Sequence, residues 1–418
     1  MYFKKKPQKY QLALVICFIL AGVLGWWWQD FARKGKYRDL APAFYLMGVL
    51  KLNFYQPVDL TKLMREYWRT GNIAGMMKSL NDPYTRFLNK NEYGELTKET
   101  QGSFGGIGVY LIPKEEELLI SSVVKNSPGE QVGLQQGDRI VKVDAISVKD
   151  FSPEVAVARI RGAAGTKVSL RVVRGEGAKR REIDFQVTRA NVFIPTVEMT
   201  VKKDPTIGEY AYIRVSQFAE TTADDLDKNL KQIDNSNQIK GTMLDLRANP
   251  GGSLDAAIRL ASQFIPKETP VLHIKRRGYP VKSIFSYGNQ HKQLPMVVLV
   301  DNWSASASEI LAGALKDQKR AQLIGNHTFG KDLIQEVKKL PGGTGATITI
   351  ASYLTSGKVN IHKRGVQPDY VVEIPGAMDL LLKEGKPESF LKMQKLQEEE
   401  AVRVLRNLVI GSKLKKAG

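Results

Sequence analysis

Hydrophobic positions follow three different patterns along this chain. Residues 11–28 form an uncharged and strongly apolar run. Within residues 43–80, apolar positions recur at the spacing of a helix. From Ile194 onwards, short apolar runs alternate with amphipathic stretches, as in proteins that build a buried sheet flanked by helices. The chain is therefore expected to contain an apolar N-terminal segment, a helical region and a larger α/β body.

Individual elements of the α/β body can be placed from their composition. Apolar or alternating runs predict strands, and amphipathic runs with polar starts predict helices. The predicted strands are 210–218, 241–247, 295–300 and 346–354, and the predicted helices are 221–233, 253–264 and one that starts beside Ser306. A further helical stretch is predicted at 378–408, and a turn with a buried Tyr84 at 81–87.

The serine-rich stretch 304–308 lies where the buried strand 295–300 turns into a helix. A serine at a helix N-terminus has backbone N–H groups and the positive end of the helix dipole beside it, and these can stabilise the oxyanion of acyl transfer. The stretch is therefore a candidate nucleophile. An alternative stays open, because Ser306 and Glu309 have the Ser-x-x-Glu spacing of a capping box.

A nucleophilic serine needs a base, and none of the four histidines stands in a setting typical of a Ser-His-Asp triad. A lysine can replace histidine when desolvation lowers the lysine pKa, because its free amine can then accept the serine proton. Lys331, which lies between Phe329-Gly330 and Leu333-Ile334, is the candidate base, and Gln335, four residues further on, could orient its amine. The alternative is that Lys331 lies at a solvated strand end.

Two glycine-rich segments are candidate binding loops. The Asn-Pro-Gly-Gly sequence at 249–252 joins a predicted strand to a predicted helix, so it is either an ordinary tight turn or a source of backbone donors for an oxyanion. The segment 102–109 is glycine-rich, and a glycine-rich loop whose amides point inward can hold a peptide carboxylate while the following strand pairs with the peptide backbone. A hairpin without a ligand is the alternative there.

The motifs around the serines and the lysine resemble the active-site signature of the carboxyl-terminal processing, or tail-specific, serine peptidases. The resemblance covers Ser-Ala-Ser-Ala-Ser-Glu-Ile at 304–310, Ala-Gly-Ala-Leu-Lys-Asp at 312–317, Thr-Phe-Gly-Lys at 328–331 and Gln335. It implies that Ser306 is the nucleophile, that Lys331 is the base and that Gln335 positions the lysine. The family usually has glycine after the lysine, whereas this chain has Asp332, whose carboxylate would favour the protonated lysine unless it points away.

The same resemblance assigns the remaining loops of the body. It places Asp-Leu-Arg-Ala-Asn-Pro-Gly-Gly at 245–252 beside the nucleophile, so the oxyanion hole would be formed by Gly251 or Gly252 together with the amide of Ala307. Asp245, Arg247 and Asp317 are expected to be structural.

Residues 123–134, 137–143 and 161–166 resemble motifs of a PDZ domain. The resemblance implies that the segment Phe104, Gly105, Gly106, Ile107, Gly108, Val109 captures the C-terminus of a peptide. The predicted helix at 152–160 would flank that groove.

The net charge and the N-terminal apolar run indicate where in the cell the protein is expected. The net charge is +19, but the basic residues are dispersed and form no nucleic-acid-binding module, so no nucleic-acid partner is expected. Four lysines precede the apolar run, which is long enough to span a bilayer and ends in three tryptophans. This predicts a single-pass anchor in the cytoplasmic membrane with the catalytic body outside, with a cleaved signal peptide as the alternative. The single cysteine, Cys17, allows no intrachain disulfide.

These observations predict an α/β multidomain protein with a crotonase/ClpP-like peptidase core, an inserted PDZ domain, a helical N-terminal region and an N-terminal transmembrane helix. The expected divisions are 1–29 for the basic tail and anchor, 30–100 for the linker and helical region, 101–190 for the PDZ domain, 191–375 for the peptidase core and 376–418 for the C-terminal helical extension.

The predicted function is a membrane-anchored serine endopeptidase that recognises and cleaves unstructured protein C-termini. No cofactor or metal is expected, because the sequence has no His-Glu-x-x-His motif, cysteine cluster or phosphate loop. The helical ends could mediate homo-oligomerisation. Two alternatives stay open: a non-catalytic PDZ scaffold at the membrane, and an acyl-CoA enzyme of the crotonase type.

Overall fold

The structure is a computed structural model that describes residues 39–100, 102–114, 117–150, 153–175, 180–193, 195–288, 291–373 and 387–417. The predicted anchor at 11–28 and the first part of the predicted C-terminal helical stretch lie outside the described residues. Among the helices that are described, none is both long and apolar enough to cross a membrane.

The elements are numbered here in chain order. The helices are α1 Leu40–Asn53, α2 Leu60–Thr70, α3 Ile73–Lys78, α4 Lys90–Thr100, α5 Pro128–Gln131, α6 Pro153–Ile160, α7 Thr222–Asn235, α8 Leu254–Ser262, α9 Ala307–Asp317 and α10 Pro387–Ala417. The first nine strands are β1 Arg86–Leu88, β2 Ser103–Gly106, β3 Val109–Lys114, β4 Glu117–Val123, β5 Arg139–Val143, β6 Ile146–Ser147, β7 Lys167–Arg174, β8 Arg181–Thr188 and β9 Ala190–Phe193. The later strands are β10 Val197–Asp204, β11 Gly208–Val215, β12 Ile239–Asp245, β13 Pro270–Lys275, β14 Lys282–Phe285, β15 Met296–Val300, β16 Gln322–Gly325, β17 Leu333–Lys339, β18 Gly345–Thr355 and β19 Tyr370–Val371.

The chain divides into two compact units. One contains the described part of residues 1–93 together with 276–280 and 333–352, and the other contains 94–275, 281–332 and 353–418. In the first unit, buried residues of α1, α2 and α3 pack with residues of β18 in one hydrophobic core. Asp59 caps α2 by accepting from the Thr61 and Lys62 amides at 2.9 and 3.2 Å. The helical periodicity expected at 43–80 is thus confirmed, as three helices.

The turn at 81–87 differs from its prediction. Tyr84 is only partly buried, whereas Asp82 and Thr85 are buried. The Asp82 carboxylate accepts hydrogen bonds from the hydroxyls of Thr85 and Thr349, both at 2.6 Å. The turn is therefore closed by a buried carboxylate and not by a buried tyrosine, because the hydroxyls of Thr85 and of the sequence-distant Thr349 satisfy the carboxylate.

In the second unit, β3, β4, β5, β7 and β8 form an antiparallel sheet in that order, with β6 paired to β5. A hydrophobic core made by these strands and α6 includes Ile107, Ile120, Ile140 and Ile160. The strand β2 pairs separately with β9, so Phe104 lies opposite Val192. Among the described strands, β3 pairs only with β4 and forms an edge of its sheet.

Another six-stranded sheet of the second unit has the order β10-β11-β12-β15-β16-β19. Its β10–β11 pair is antiparallel, and the other pairs are parallel. All five residues of β15 are buried, as expected for a strand covered on both faces. The helix α10 packs Ala401, Val404 and Leu405 into a core with residues of β12, β15 and β16. The strands predicted at 210–218, 241–247, 295–300 and 346–354 are present, with small changes at their ends.

Candidate active site

Three loops lie at the carboxyl ends of neighbouring parallel strands and together form the candidate site. The loop that starts at Leu246 follows β12, the loop that starts at Asp301 follows β15, and the loop that starts at Asn326 follows β16. These strands are adjacent and parallel in the order β12, β15, β16. Since the carboxyl ends of parallel strands lie at one edge, the sheet brings together the three segments that the sequence singled out.

Ser306 is the N-cap residue of α9 and is partly buried. Its backbone has φ 54° and ψ −110°, a conformation that non-glycine residues rarely adopt. Such a conformation persists only where the surroundings hold it. The Ser306 amide donates to Glu309 Oε2 at 2.8 Å, so Glu309 takes the part that the capping-box spacing predicted for it.

The Glu309 carboxylate is fully buried and accepts four hydrogen bonds. Its Oε2 accepts from the amides of Ser306 and Lys331 at 2.8 and 2.9 Å. Its Oε1 accepts from the Thr328 hydroxyl at 2.5 Å and from the Gly330 amide at 2.7 Å. One side chain therefore joins the start of α9 to the segment that carries Lys331.

Tyr353, on β18, joins the same two segments from another side. Its buried phenol oxygen lies 3.0 Å from the Lys331 carbonyl oxygen and 3.2 Å from the Ser306 carbonyl oxygen. Burial raises the pKa of Tyr353 well above its usual value, so the phenol keeps its proton and can donate. The backbone amide and the backbone carbonyl of the partly buried Lys331 thus both have hydrogen-bond partners.

The Asn-Pro-Gly-Gly turn lies directly against the nucleophile segment. The Asn249 carbonyl accepts from the Ala305 amide and from the Ser308 hydroxyl, both at 3.0 Å. A Cβ added to Gly251, whose φ is +99°, would lie 2.9 Å from Ser306 Cβ and 2.7 Å from the Ala305 carbonyl oxygen. Only glycine fits there, because the backbone of the turn approaches the serine so closely.

The two glycine amides of this turn are not equivalent. The Gly251 amide donates to Asn249 Oδ1 at 2.9 Å and is occupied in this structure. No acceptor for the amides of Gly252 or Ala307 occurs among the described residues. Of the predicted oxyanion donors, Gly252 and Ala307 therefore have N–H groups available to a ligand.

Two buried acids, Asp301 and Asp245, organise the loops, and of the two only Asp245 was expected from the sequence to be structural. Asp301 accepts from the amides of Ala248, Trp303 and Ser304, each at 3.0 Å, and burial raises its pKa. Burial would also raise the pKa of Asp245, but the Arg247 guanidinium at 2.7 Å outweighs it and holds that pKa below its usual range. The Asp317 carboxylate accepts from the Gly357 amide at 2.6 Å, consistent with a structural role.

Gln335 and Asp332 complete the predicted lysine segment. Gln335 lies on β17 in the other compact unit, next to a register shift after Ile334. Its side-chain nitrogen is buried and has no hydrogen-bond partner within the described ranges, which is unusual for a buried polar group. The Asp332 carboxylate lies 2.6 Å from His362 Nδ1 and thus has a partner of its own.

The predicted peptide-binding segment divides into a strand and a turn. Phe104, Gly105 and Gly106 belong to β2, and the Gly105 carbonyl accepts from the Gly162 amide at 3.1 Å. Ile107 and Gly108 form the turn that leads into β3, which starts at Val109. The turn is fastened by the Gly129 and Val124 amides, which donate to the carbonyls of Ile107 and Gly108 at 2.7 and 2.9 Å.

Sequence reasoning did not identify Glu309, Tyr353 or Asn249 as residues that hold the site together. Glu309 was seen only as a cap, Tyr353 only as a strand residue and Asn249 only as part of a turn. Their side chains bridge segments that are far apart in the sequence, and periodicity carries no such information. In the part of the chain that the structure describes, no group of three or more acidic, histidine or cysteine side chains could hold a metal ion.

Comparison with known protein families gives two matches. The sequence profile of peptidase family S41 matches residues 209–372, and that of the PDZ domain matches residues 119–174. The first match contains all three loops of the candidate site. The second contains most of β4 and all of β5, β6 and β7.

Individual proteins are similar over most of the chain. The carboxy-terminal processing protease CtpA of Bacillus subtilis (strain 168) is 36% identical over 327 residues, which are 78% of this chain and 67% of that protein. The carboxyl-terminal-processing protease of Synechocystis sp. is 38% identical over 305 residues, 72% of this chain and 70% of its own length. The structure of a photosystem II D1 C-terminal processing protease superposes with a TM-score of 0.52 at 27% identity, covering 80% of this chain and 92% of that one.

Proposed function

The chain belongs to peptidase family S41, as a serine-type carboxy-terminal processing peptidase with a PDZ domain, and from that premise we propose that it cleaves protein tails with a dyad of Ser306 and Lys331. The observation that carries the proposal is the pair of hydrogen bonds from the Ser306 and Lys331 amides to one oxygen of Glu309. This shared acceptor places the two amide nitrogens less than about 6 Å apart. Family membership favours a peptidase over a non-catalytic scaffold.

In the proposed reaction, Ser306 Oγ attacks the carbonyl carbon of the scissile peptide bond, and the neutral amine of Lys331 takes the hydroxyl proton. The negative charge that develops on the carbonyl oxygen is stabilised by the amides of Gly252 and Ala307 and by the positive end of α9. Lys331 returns the proton to the leaving amine. Water then hydrolyses the acyl-enzyme, with Lys331 again acting as base. Gln335 is proposed to orient Lys331 during these steps.

Tail recognition is proposed to use the turn at Ile107 and Gly108 together with the edge of β3. An extended peptide can add to an exposed strand edge through backbone hydrogen bonds, while a glycine-rich turn accepts its terminal carboxylate. The absence of a second described partner for β3 supports this mode. Substrates would then be proteins with extended, unstructured C-termini.

The apolar run at 11–28 is proposed to anchor the protein in the cytoplasmic membrane, with residues 30–418 on the far side. The preceding lysines and the run of tryptophans support this orientation. Resistance of the protein to alkaline extraction from membranes, with protease access to its body only from the extracytoplasmic side, is the expected result. Release of the intact chain by alkali would contradict it. Association of copies through the helical ends stays a prediction, to be checked by light scattering.

The catalytic proposal is tested by cleavage of an unfolded protein that has an apolar C-terminus, with the full chain in detergent. We expect Ser306→Ala and Lys331→Ala each to reduce kcat at least about 1,000-fold while the protein stays folded. Ser236→Ala and Lys338→Ala are the controls, since they remove a hydroxyl and a positive charge outside the three loops. A serine-reactive fluorophosphonate should label the parent and Ser236→Ala but not Ser306→Ala. Full activity of Ser306→Ala would contradict the proposed nucleophile.

A further inference from the structure

The helix α10 carries one fully buried glutamine, Gln397, on a face that otherwise packs through apolar residues. Burying an amide is unfavourable unless its polar atoms are paired, and an apolar side chain would dock the helix without that cost. Docking of the helix alone therefore does not explain a glutamine at this position. The hydrogen-bond partners of Gln397 indicate what the amide does.

All of the polar atoms of Gln397 face the bases of the active-site loops. Its Nε2 donates to Asn326 Oδ1 and to the Val372 carbonyl, both at 3.1 Å. Its Oε1 accepts from Arg247 Nη1 at 3.4 Å. Both hydrogens of the amide nitrogen and the amide oxygen are thus used, which also determines the orientation of the amide.

The partners of Gln397 lead into all three loops. Arg247 precedes the turn that carries Gly251 and Gly252. Asn326 opens the segment that ends at Lys331. The side chain of Asn326 donates to Asn302 Oδ1 at 3.0 Å, and Asn302 belongs to the loop that carries Ser306.

The hydrogen bonds that link Gln397, Asn326 and Asn302 form a relay, which extends one step further towards Lys331. Asn302 Nδ2 lies 3.2 Å from His327 Nε2, and His327 precedes Thr328, which is bonded to Glu309. On the other side, Arg247 is held by the buried Asp245 and also donates to the Gln394 carbonyl of α10 at 2.8 Å. The helix therefore touches the oxyanion loop and the lysine loop directly, and the nucleophile loop through one side chain.

We propose that Gln397 is a positioning residue, through which the C-terminal helix sets the spacing of the oxyanion, nucleophile and lysine loops. The inference rests on the proposed Ser306 and Lys331 dyad. A displacement of about 1 Å among reacting groups can lower a rate about 100-fold without unfolding the protein. The oxyanion and lysine loops contact the amide of Gln397 directly and the nucleophile loop contacts it through Asn326, so the spacing of all three is sensitive to its loss.

The test uses the full chain, a short peptide substrate and the variant Gln397→Met, which keeps the length of the side chain and removes its hydrogen bonds. We expect kcat to fall about 10- to 100-fold with KM within about threefold, while Tm falls because the buried partners of Gln397 lose a hydrogen bond. Labelling of Ser306 by a fluorophosphonate should slow to the same extent as kcat. A merely structural residue would lower Tm and leave the kcat of the folded fraction intact.

The matched control is Arg406→Met on the same helix. Arg406 pairs with Asp204 at 2.6 Å and anchors α10 without contacting the three loops. Its loss should lower Tm and leave kcat within about twofold. Equal loss of kcat in both variants would overturn the proposal, because general docking of the helix would then suffice.

Further outcomes separate this inference from the proposed function. Unchanged kcat in Gln397→Met, with Ser306→Ala inactive, overturns the positioning role and leaves the dyad intact. Full activity of Ser306→Ala overturns the dyad and this inference with it. If Gln397→Met does not fold, Asn302→Ala tests the other end of the relay, where the same loss of kcat is expected and unchanged kcat refutes the proposal.

Discussion

The backbone amides of Ser306 and Lys331, 25 positions apart in the sequence, donate to the same oxygen of the buried Glu309 carboxylate. These backbone hydrogen bonds thus set the spacing of the two proposed catalytic residues independently of any contact between their side chains. Tyr353 repeats the link through their carbonyl oxygens. Two side chains therefore link the backbones of Ser306 and Lys331, the residues whose relative geometry the proposed dyad depends on.

Glu309→Gln is expected to impair both folding and catalysis. An amide has only one acceptor oxygen, so its NH2 group would face two of the four donors that now bind the carboxylate. The free energy of unfolding should fall by about 1–3 kcal/mol, and kcat by at least about tenfold. Urea unfolding and peptide turnover measure these changes. The exposed Glu220→Gln is the control, and equal behaviour of both variants would show that Glu309 does not hold the site.

Tyr353→Phe removes one hydroxyl and leaves the ring in place. Since the phenol spans the carbonyls of Ser306 and Lys331, we expect kcat to fall about three- to tenfold and the free energy of unfolding by about 1 kcal/mol. Steady-state kinetics and denaturant unfolding give both values. Tyr210→Phe, at a buried position whose hydroxyl has no hydrogen bond within the described residues, should leave kcat unchanged. Unchanged kcat and unchanged free energy of unfolding in Tyr353→Phe would refute the bridging role.

Gly251→Ala should nearly abolish turnover. The new methyl group would meet the Ala305 carbonyl oxygen and Ser306 Cβ within 2.9 Å, and both are parts of the site that cannot move independently. We expect kcat to fall at least about 100-fold, the scale seen when an oxyanion donor is lost. Gly208→Ala has a similar φ of +86° but open space around the new Cβ, so it should cost stability alone. Comparable kcat in Gly251→Ala and Gly208→Ala would contradict the close approach of Gly251 to Ser306.

Gly108→Ala is expected to weaken tail binding. Gly108 has φ +76°, and its Cβ would lie 2.2 Å from Ser127 Cβ, which distorts the turn before β3. Anisotropy of a labelled tail peptide, measured on the Ser306→Ala protein, should show at least about a tenfold rise in Kd. Gly133→Ala lies in the same domain with φ +87° and open space, and it should bind normally. Unchanged Kd in Gly108→Ala would place the tail elsewhere.

The ion pair between Arg406 and Asp204 should stabilise the fold only above a certain pH. The hydrogen-bonded Arg406 guanidinium lowers the pKa of Asp204 to about 2. Because the folded-state pKa lies below the unfolded one, this stabilisation is present above about pH 4 and is lost as the pH falls towards 2. Because the Arg406 side chain is 41% exposed, screening by solvent keeps this contribution small. The difference in unfolding free energy between the parent and Arg406→Met should therefore shrink below pH 4, and a pH-independent difference would refute the assignment.

Much of the fold could be predicted from the sequence because its signals are local. The strand at 296–300 is an uninterrupted apolar run, and the turn at 249–252 consists of residues that favour turns. The PDZ and peptidase motifs are contiguous, and the family profiles match both regions. The turn at 81–87 shows the limit of this reasoning. There the buried group is the Asp82 carboxylate, because Thr349, far along the chain, supplies a donor.

The sequence by itself determined the family, the serine-type peptidase activity and the order of the loops, since these depend on short runs of neighbouring residues. The tertiary structure decided how the loops are held. Glu309 serves two segments, Tyr353 arrives from β18, and Gln397 reaches the loops from a helix about 70 residues beyond Asn326. Such pairings arise when distant strands and helices pack into one core, and a buried polar group then takes whichever partner the packing presents.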